Sequence, residues 1–295
     1  MSIVRRWFAS VVVIALAAGA LALPSTASTP TADRPYDLKV PAGYDGDNPV
    51  PLVVLLHGYT SNGATQARYF GLLDEADKAG FLLAYPNGTR DRLGNRFWNA
   101  TDACCDFFRS GVDDVAYLDA VIADVSARYP VDPDRIYLVG HSNGAFMAHR
   151  YACDRADRVA AIVTLAGMTW RDQSRCPAGS PLSVLHVHGR NDMTVSYQGG
   201  ATPEGAYPGA VETVDDWAAK DGCTGSLTVT GRKLDLDQSI PGDETDEATV
   251  GGCPSGVSVT LWTIEGGGHV PAFNGNWAPA IWSFLAAHPK AAPPS

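Results

Sequence analysis

A strand can turn into a helix within a few residues only where the chain is stripped of side chains at the bend. Residues 135–150, RIYLVGHSNGAFMAHR, are built that way. Ile136, Tyr137, Leu138 and Val139 form a β-branched and aromatic run that stops at Gly140, and Ser142, Gly144 and a stretch with helical spacing follow. Glycines on either side let the backbone pass closely around a sharp turn. The hydroxyl between them then projects from the edge of a sheet, the setting in which a G-x-S-x-G serine acts as a nucleophile. The helix beyond opens with N–H groups that lack intrahelical partners, so the Asn143 N–H is placed to meet a developing oxyanion.

The rest of the chain alternates strands with helices. Asp37–Val40 reads as a short edge strand, and PLVVLLHG (51–58) as a strand buried on both faces. A helix is expected over Ala64–Lys78, a strand over 80–88, and a helix from the spacing of Val112, Val115, Leu118, Ile122 and Val125, with Asp113 and Asp114 in its first turn. Further strands are expected at Ala160–Leu165, Leu182–His188 and Val257–Ile264, with helices near Val211–Lys220 and Trp277–Ala287. This order predicts an α/β fold, a mostly parallel central sheet with helices on both faces. Chemistry in such sheets collects beyond the carboxyl ends of the strands.

That rule selects partners for the serine. A serine needs a base, and the base needs a group to orient it. In the chain order serine, acid, histidine, Asp192 in VLHVHGRNDMTV and His269 in LWTIEGGGHVPAF both fall just past strands. The second oxyanion donor falls to the backbone N–H of Tyr59 in LLHGYTSNG, where His57 and Gly58 shape the turn. His141 is expected to pack or hydrogen-bond locally beside the serine. His186 and His188 form an H-x-H pair on one side of an apolar strand, read as packing in preference to a metal site, since no acidic cluster matches them. His149 lies on the helix after the serine and His288 in the tail, while Asp215 and Asp216 are expected on a solvated face. Tyr59, Trp98 and Trp170 fall beside these loops and are candidate substrate contacts, with a buried core role as the alternative for Trp98.

Composition bounds the setting. Of 295 residues, 45% are hydrophobic and 18% charged, enough for one sizeable core. Residues 1–27 read as a secretory signal peptide: Arg5 and Arg6, an apolar run from Trp7 to Leu23, and small residues up to a cleavage site near Ala27. The run falls short of the ~20 apolar residues of a membrane span. Loss of the leader moves the net charge from −10 to −12, because it carries two arginines and no acid. An acidic surface argues against nucleic acid or anionic membrane as a partner. Residues 28–295 are expected to form one catalytic domain, with 288–295 frayed.

The six cysteines all lie in that part and lack metal-ligand spacing, so disulfides in an oxidising compartment are expected. Cys153–Cys176 and Cys223–Cys253 each close a local loop, though other connectivities stay open. Cys104–Cys105 is left by exclusion, with adjacent Cα atoms ~3.8 Å apart across a trans peptide, below the usual disulfide range.

The strings LLHGYTSNG, WNATDACCDFFRSGVDDVAYL, GHSNGAFMAHRYACD, VLHVHGRND and IEGGGHVPAF together resemble the secreted α/β-hydrolase family of polyhydroxybutyrate depolymerase-type esterases and feruloyl esterases. The resemblance runs from about Asp37 to Phe284. It implies a serine esterase with an α/β-hydrolase fold, a Ser–Asp–His triad falling on Ser142, Asp192 and His269, and no cofactor. After the histidine the family often has Thr-Trp-Pro, whereas this chain has Val270-Pro271-Ala272. The expected substrates are polyhydroxyalkanoate or polyester oligomers or small esters, with feruloyl or acetyl esters of xylan as the alternative. A non-catalytic binding protein on the same fold is a third reading, set back by the filling of all three triad positions, and a metal hydrolase using His186 and His188 is more remote still.

Overall fold

The computed structural model describes residues 30–290; the expected leader and residues 291–295 of the tail lie outside them. One nine-stranded sheet organises these residues. In chain order its strands are β1 (Asp37–Lys39), β2 (Val50–Leu56), β3 (Leu82–Tyr85), β4 (Val131–His141), β5 (Ala161–Leu165), β6 (Ser183–Gly189), β7 (Leu227–Leu234), β8 (Thr245–Val250) and β9 (Val259–Ile264). Their spatial order is β1-β3-β2-β4-β5-β6-β9-β8-β7. Pairing is parallel from β3 across to β9, and antiparallel at both margins.

The continuous apolar run of β2 is explained by two cores. Leu52, Val54 and Leu56 enter one cluster while Val53 and Leu55 enter the other, on opposite faces of the strand. Helices α3 (Asp114–Arg128), α4 (Asn143–Asp154) and α5 (Ala210–Lys220) close the first cluster. Helices α1 (Gly63–Tyr69), α2 (Leu72–Ala79) and α6 (Trp277–Ala287) close the second. Asp113 caps α3 by accepting the Ala116 N–H at 2.9 Å, and Asn62 caps α1 by accepting the Thr65 N–H at 2.9 Å.

Two expectations need correction. The helix over 64–78 is broken into α1 and α2 at Gly71, whose φ of 68° is left-handed. Helical spacing persists across the break, so periodicity alone does not reveal it. The segment between Cys223 and Cys253, where no strand is expected above, supplies β7 and β8, which extend the sheet beyond β9. Its outermost strand, β7, is exposed along nearly its whole length and so lacks a buried face to mark it. The alternation Leu227-Thr-Val229-Thr was the available signal.

Strand register places the loops that matter. Leu56 pairs with Gly140, His141 with Leu165, Leu165 with Val187, and Gly189 with Ile264. The loops leaving β2, β4, β6 and β9 therefore emerge in a row along one edge, carrying Tyr59, Ser142, Asp192 and His269.

Candidate active site

Ser142 occupies the turn between β4 and α4 with φ 54° and ψ −122°, a backbone state that costs a non-glycine residue of order 1–3 kcal/mol. The surroundings over-determine it. Its N–H donates to the Leu165 carbonyl at 2.8 Å, and its carbonyl accepts from Ala145 and Phe146 at 2.8 and 3.0 Å. A Cβ at Gly140 would overlap the Gly144 carbonyl, and one at Gly144 would overlap that of Leu56. The two glycines are thus demanded by backbone packed against backbone.

The elbow meets two other loops. Ser142 Oγ lies 3.0 Å from His269 Nε2, and His269 Nδ1 lies 2.7 Å from Asp192 Oδ2. The other carboxylate oxygen of Asp192 accepts the N–H groups of Thr194 and Val195 at 2.8 and 2.9 Å. Burial by itself would raise the Asp192 pKa, but hydrogen bonds from His188 and His269 outweigh it and hold the carboxyl well below the usual carboxylate range. The acid is therefore ionised wherever the protein is folded near neutrality.

The aligned strands bring two free donors to the same place. A Cβ at Gly58 would come 3.4 Å from that of Ser142, which sets the Gly58–Tyr59 turn against the serine. Among the described residues, neither the Tyr59 N–H nor the Asn143 N–H has a hydrogen-bond acceptor. Both are available to an added oxygen atom.

His57 and Trp98 hold this turn from below. His57 Nε2 accepts the Gly88 N–H at 2.9 Å, so its proton sits on Nδ1 and is donated to the Gly58 carbonyl at 2.7 Å. Burial pushes this imidazole down to about 4, which keeps it neutral. The Trp98 indole N–H donates to the His57 carbonyl at 3.0 Å. Its main chain grips the Asn143 amide in both directions, at 2.7 and 2.9 Å.

The aromatic candidates separate on burial. Trp98 is 0% exposed and frames the site instead of touching a substrate. Trp170 is also buried, with the Arg175 guanidinium 4.0 Å from its ring centre, so it offers no open aromatic face. Tyr59 is half-buried; its hydroxyl donates to Asp91 at 2.7 Å and its ring meets Phe107 edge-on at 5.3 Å. Phe107, 38% exposed, was not singled out by sequence reasoning, because nothing in DFFRSG distinguishes a rim residue from a core one. Met193 and Val270, directly after Asp192 and His269, are 98% and 63% exposed.

The cysteines are bonded as Cys153–Cys176, Cys223–Cys253 and Cys104–Cys105, the last across a cis peptide where a trans one was assumed. The Asn143 amide donates to Cys104 Sγ at 3.5 Å, so this pair adjoins the elbow. His149 accepts from the Trp217 indole at 2.9 Å and faces the Gly167 carbonyl at 3.2 Å, inside the core. Asp216, expected on a solvated face, takes a hydrogen bond from Gln173 at 2.8 Å and is pushed up to about 6 by burial, then by Glu212. No group of three or more His, Cys, Asp or Glu among the described residues is arranged to hold a metal ion.

A mostly parallel sheet with a serine on a strand–turn–helix elbow, and acid and histidine loops after later strands, defines an α/β-hydrolase. Comparison with known proteins narrows this. Residues 35–219, more than half of the chain, match the model of the family described as esterase PHB depolymerase, and the chain belongs to that family. It is 29% identical over 244 residues to feruloyl esterase B of Piromyces equi, covering 80% of this chain but only 42% of that protein. It is 27% identical over 243 residues to the putative esterase NocK of Nocardia uniformis subsp. tsuyamanensis, covering 78% and 68% of the two chains. The solved acetyl xylan esterase from Aspergillus awamori shares the fold, with a TM-score of 0.61 at 17% identity over 85% of this chain and 93% of that one.

Proposed function

We propose that the protein is a secreted carboxylic ester hydrolase working by two-step acyl transfer. The observation that carries this reading is the continuous contact from Ser142 Oγ through His269 to Asp192, 3.0 and 2.7 Å, at the elbow. His269 Nε2 takes the Ser142 proton as Oγ attacks the ester carbonyl carbon, and Asp192 steadies the imidazolium. The carbonyl oxygen becomes an oxyanion held by the Tyr59 and Asn143 N–H groups. Collapse breaks the ester C–O bond; His269 returns the proton to the departing alcohol, leaving an acyl-serine. Water, deprotonated by the same imidazole, then releases the acid and restores the serine hydroxyl.

The substrate reading follows from the rim. Met193 and Val270, which follow Asp192 and His269 in the chain, are exposed, as is Phe107 beside Tyr59, and this apolar surface suits an uncharged acyl or alcohol group, such as a hydroxyalkanoate oligomer or small ester. Aromatic esters of plant polysaccharide are the second reading, favoured by the edge-on Tyr59–Phe107 pair and by the feruloyl esterases among the relatives. Three disulfides suit an oxidising compartment, in keeping with an exported protein. No helix among the described residues is long and apolar enough to cross a membrane.

Labelling by a fluorophosphonate probe tests the reading. The wild-type protein is expected to be labelled at Ser142, and a Ser142→Ala variant not at all. An unlabelled wild type would leave a non-catalytic binding role instead. Comparing ferulate release from methyl ferulate with hydroxybutyrate release from its trimer separates the two substrate classes.

A further inference from the structure

The acyl-transfer scheme leaves the H-x-H pair of β6 unused, yet both rings are fully buried on the strand that delivers Asp192. His188 Nε2 lies 2.8 Å from the Val195 carbonyl and 3.3 Å from Asp192 Oδ2. Both neighbours only accept, so Nε2 carries the ring proton and directs it between them. In the neutral ring Nδ1 is then a lone pair, and it faces His186 Nε2 at 3.3 Å. His186 donates from that nitrogen and accepts at Nδ1 from the Thr164 hydroxyl, 3.0 Å away. A single set of proton positions thus satisfies Thr164, His186, His188 and Asp192 in turn. Burial first, then the adjacent His188 and His149, hold His186 well below the usual histidine range, which preserves the neutral form this chain requires.

Asp192 consequently has three hydrogen-bond donors, Thr194 and Val195 N–H on one oxygen and His269 on the other, and a further N–H, that of His188, 3.3 Å from this second oxygen. We propose that His188 is a positioning residue for acyl transfer, its Nε2–H fixing the Asp192 carboxylate toward His269 and drawing off part of its charge. This rests on the Ser142–His269–Asp192 reading. The groups facing His188 are Asp192, His186 and the ring of Tyr197 at 5.7 Å; those facing His269 are Asp192, Ser142 and the ring of His141 at 5.2 Å. Removing the His188 donor leaves Asp192 with a fuller charge that holds protonated His269 more tightly. The base is then freed only at higher pH.

His188→Phe should lower kcat about tenfold with KM nearly unchanged, the rate equivalent of one charge-assisted hydrogen bond, and should move the acid limb of the kcat/KM profile to higher pH. His188→Gln, which restores an N–H donor, should recover most of both. Wild-type kcat and pH profile in His188→Phe would overturn the proposal. So would a loss of activity with an unmoved acid limb and no rescue by glutamine, which marks a purely structural role. Nitrogen-15 NMR of the histidines needs no variant: the His188 proton should sit on Nε2, which faces the Val195 carbonyl and Asp192, with Nδ1 as the acceptor toward His186, and the Nδ1-protonated tautomer would refute the inference. Failure of the wild type to hydrolyse p-nitrophenyl acetate would instead sink the esterase reading itself, which the NMR result does not depend on.

Discussion

His141 Nε2 lies 3.0 Å from the main-chain carbonyl of His269, so the residue before the serine fastens the loop that brings the imidazole to it. Burial first, then the nearby His269, push His141 down to about 4, and the neutral ring donates this bond across the working range. The contact ties residues 128 positions apart in the chain. His141→Phe keeps the ring packing against Tyr69 and Phe70 but loses the N–H. Its kcat should fall about fivefold, the equivalent of one neutral hydrogen bond, with KM little changed; steady-state kinetics on a p-nitrophenyl ester reads both.

Ser142→Ala should reduce kcat by a factor on the order of 10⁴ to 10⁶ while leaving folding intact. The variant should melt at or slightly above the wild-type temperature in a thermal scan, because a polar hydroxyl at a strained turn contributes to rate and not to stability. Ordinary turnover by the variant would remove Ser142 from the mechanism.

Asn143→Ala leaves the backbone N–H in place but strips the amide that grips Trp98 on both sides. The buried Trp98 N–H and carbonyl would lose their partners, at a cost of about 1–3 kcal/mol for each group left unsatisfied. A lowered melting temperature is expected together with a lower kcat, since the Trp98 frame also carries the His57 carbonyl under the Gly58–Tyr59 turn. Unchanged stability would mean that this clamp is dispensable.

Asp221 closes α5 and is 1% exposed, and among the described residues its carboxyl receives only the Leu182 N–H, at 3.4 Å. Burial pushes its carboxyl up to about 7. A carboxyl raised on folding favours the native state below its unfolded value, ordinarily about 3.9, and that contribution is lost as pH rises through 7. Wild-type stability carried by this group should therefore decline between about pH 4 and pH 7. Asp221→Asn should remove that slope and melt higher than the wild type at pH 8; a pH series of thermal melts on both proteins decides it.

Short-range signals carried the element order and the elbow, because strand burial, helix spacing and the demand for glycine at Gly140 and Gly144 act within a few residues of the chain. The helix break at Gly71 escaped because its cause is one left-handed glycine inside an unbroken periodic pattern. The β7–β8 hairpin escaped because an edge strand shows little apolar alternation.

Amino-acid order alone determined that a hydroxyl would stand at a bend between a buried strand and a helix, since only local sterics are involved. Packing decided the rest. It sealed Trp98 and Trp170 away from solvent, set His141 against the main chain of residue 269, and gave Asp192 a second imidazole in His188. Those outcomes depend on which strands lie side by side, and parallel strands far apart in sequence are brought together only by the folded sheet.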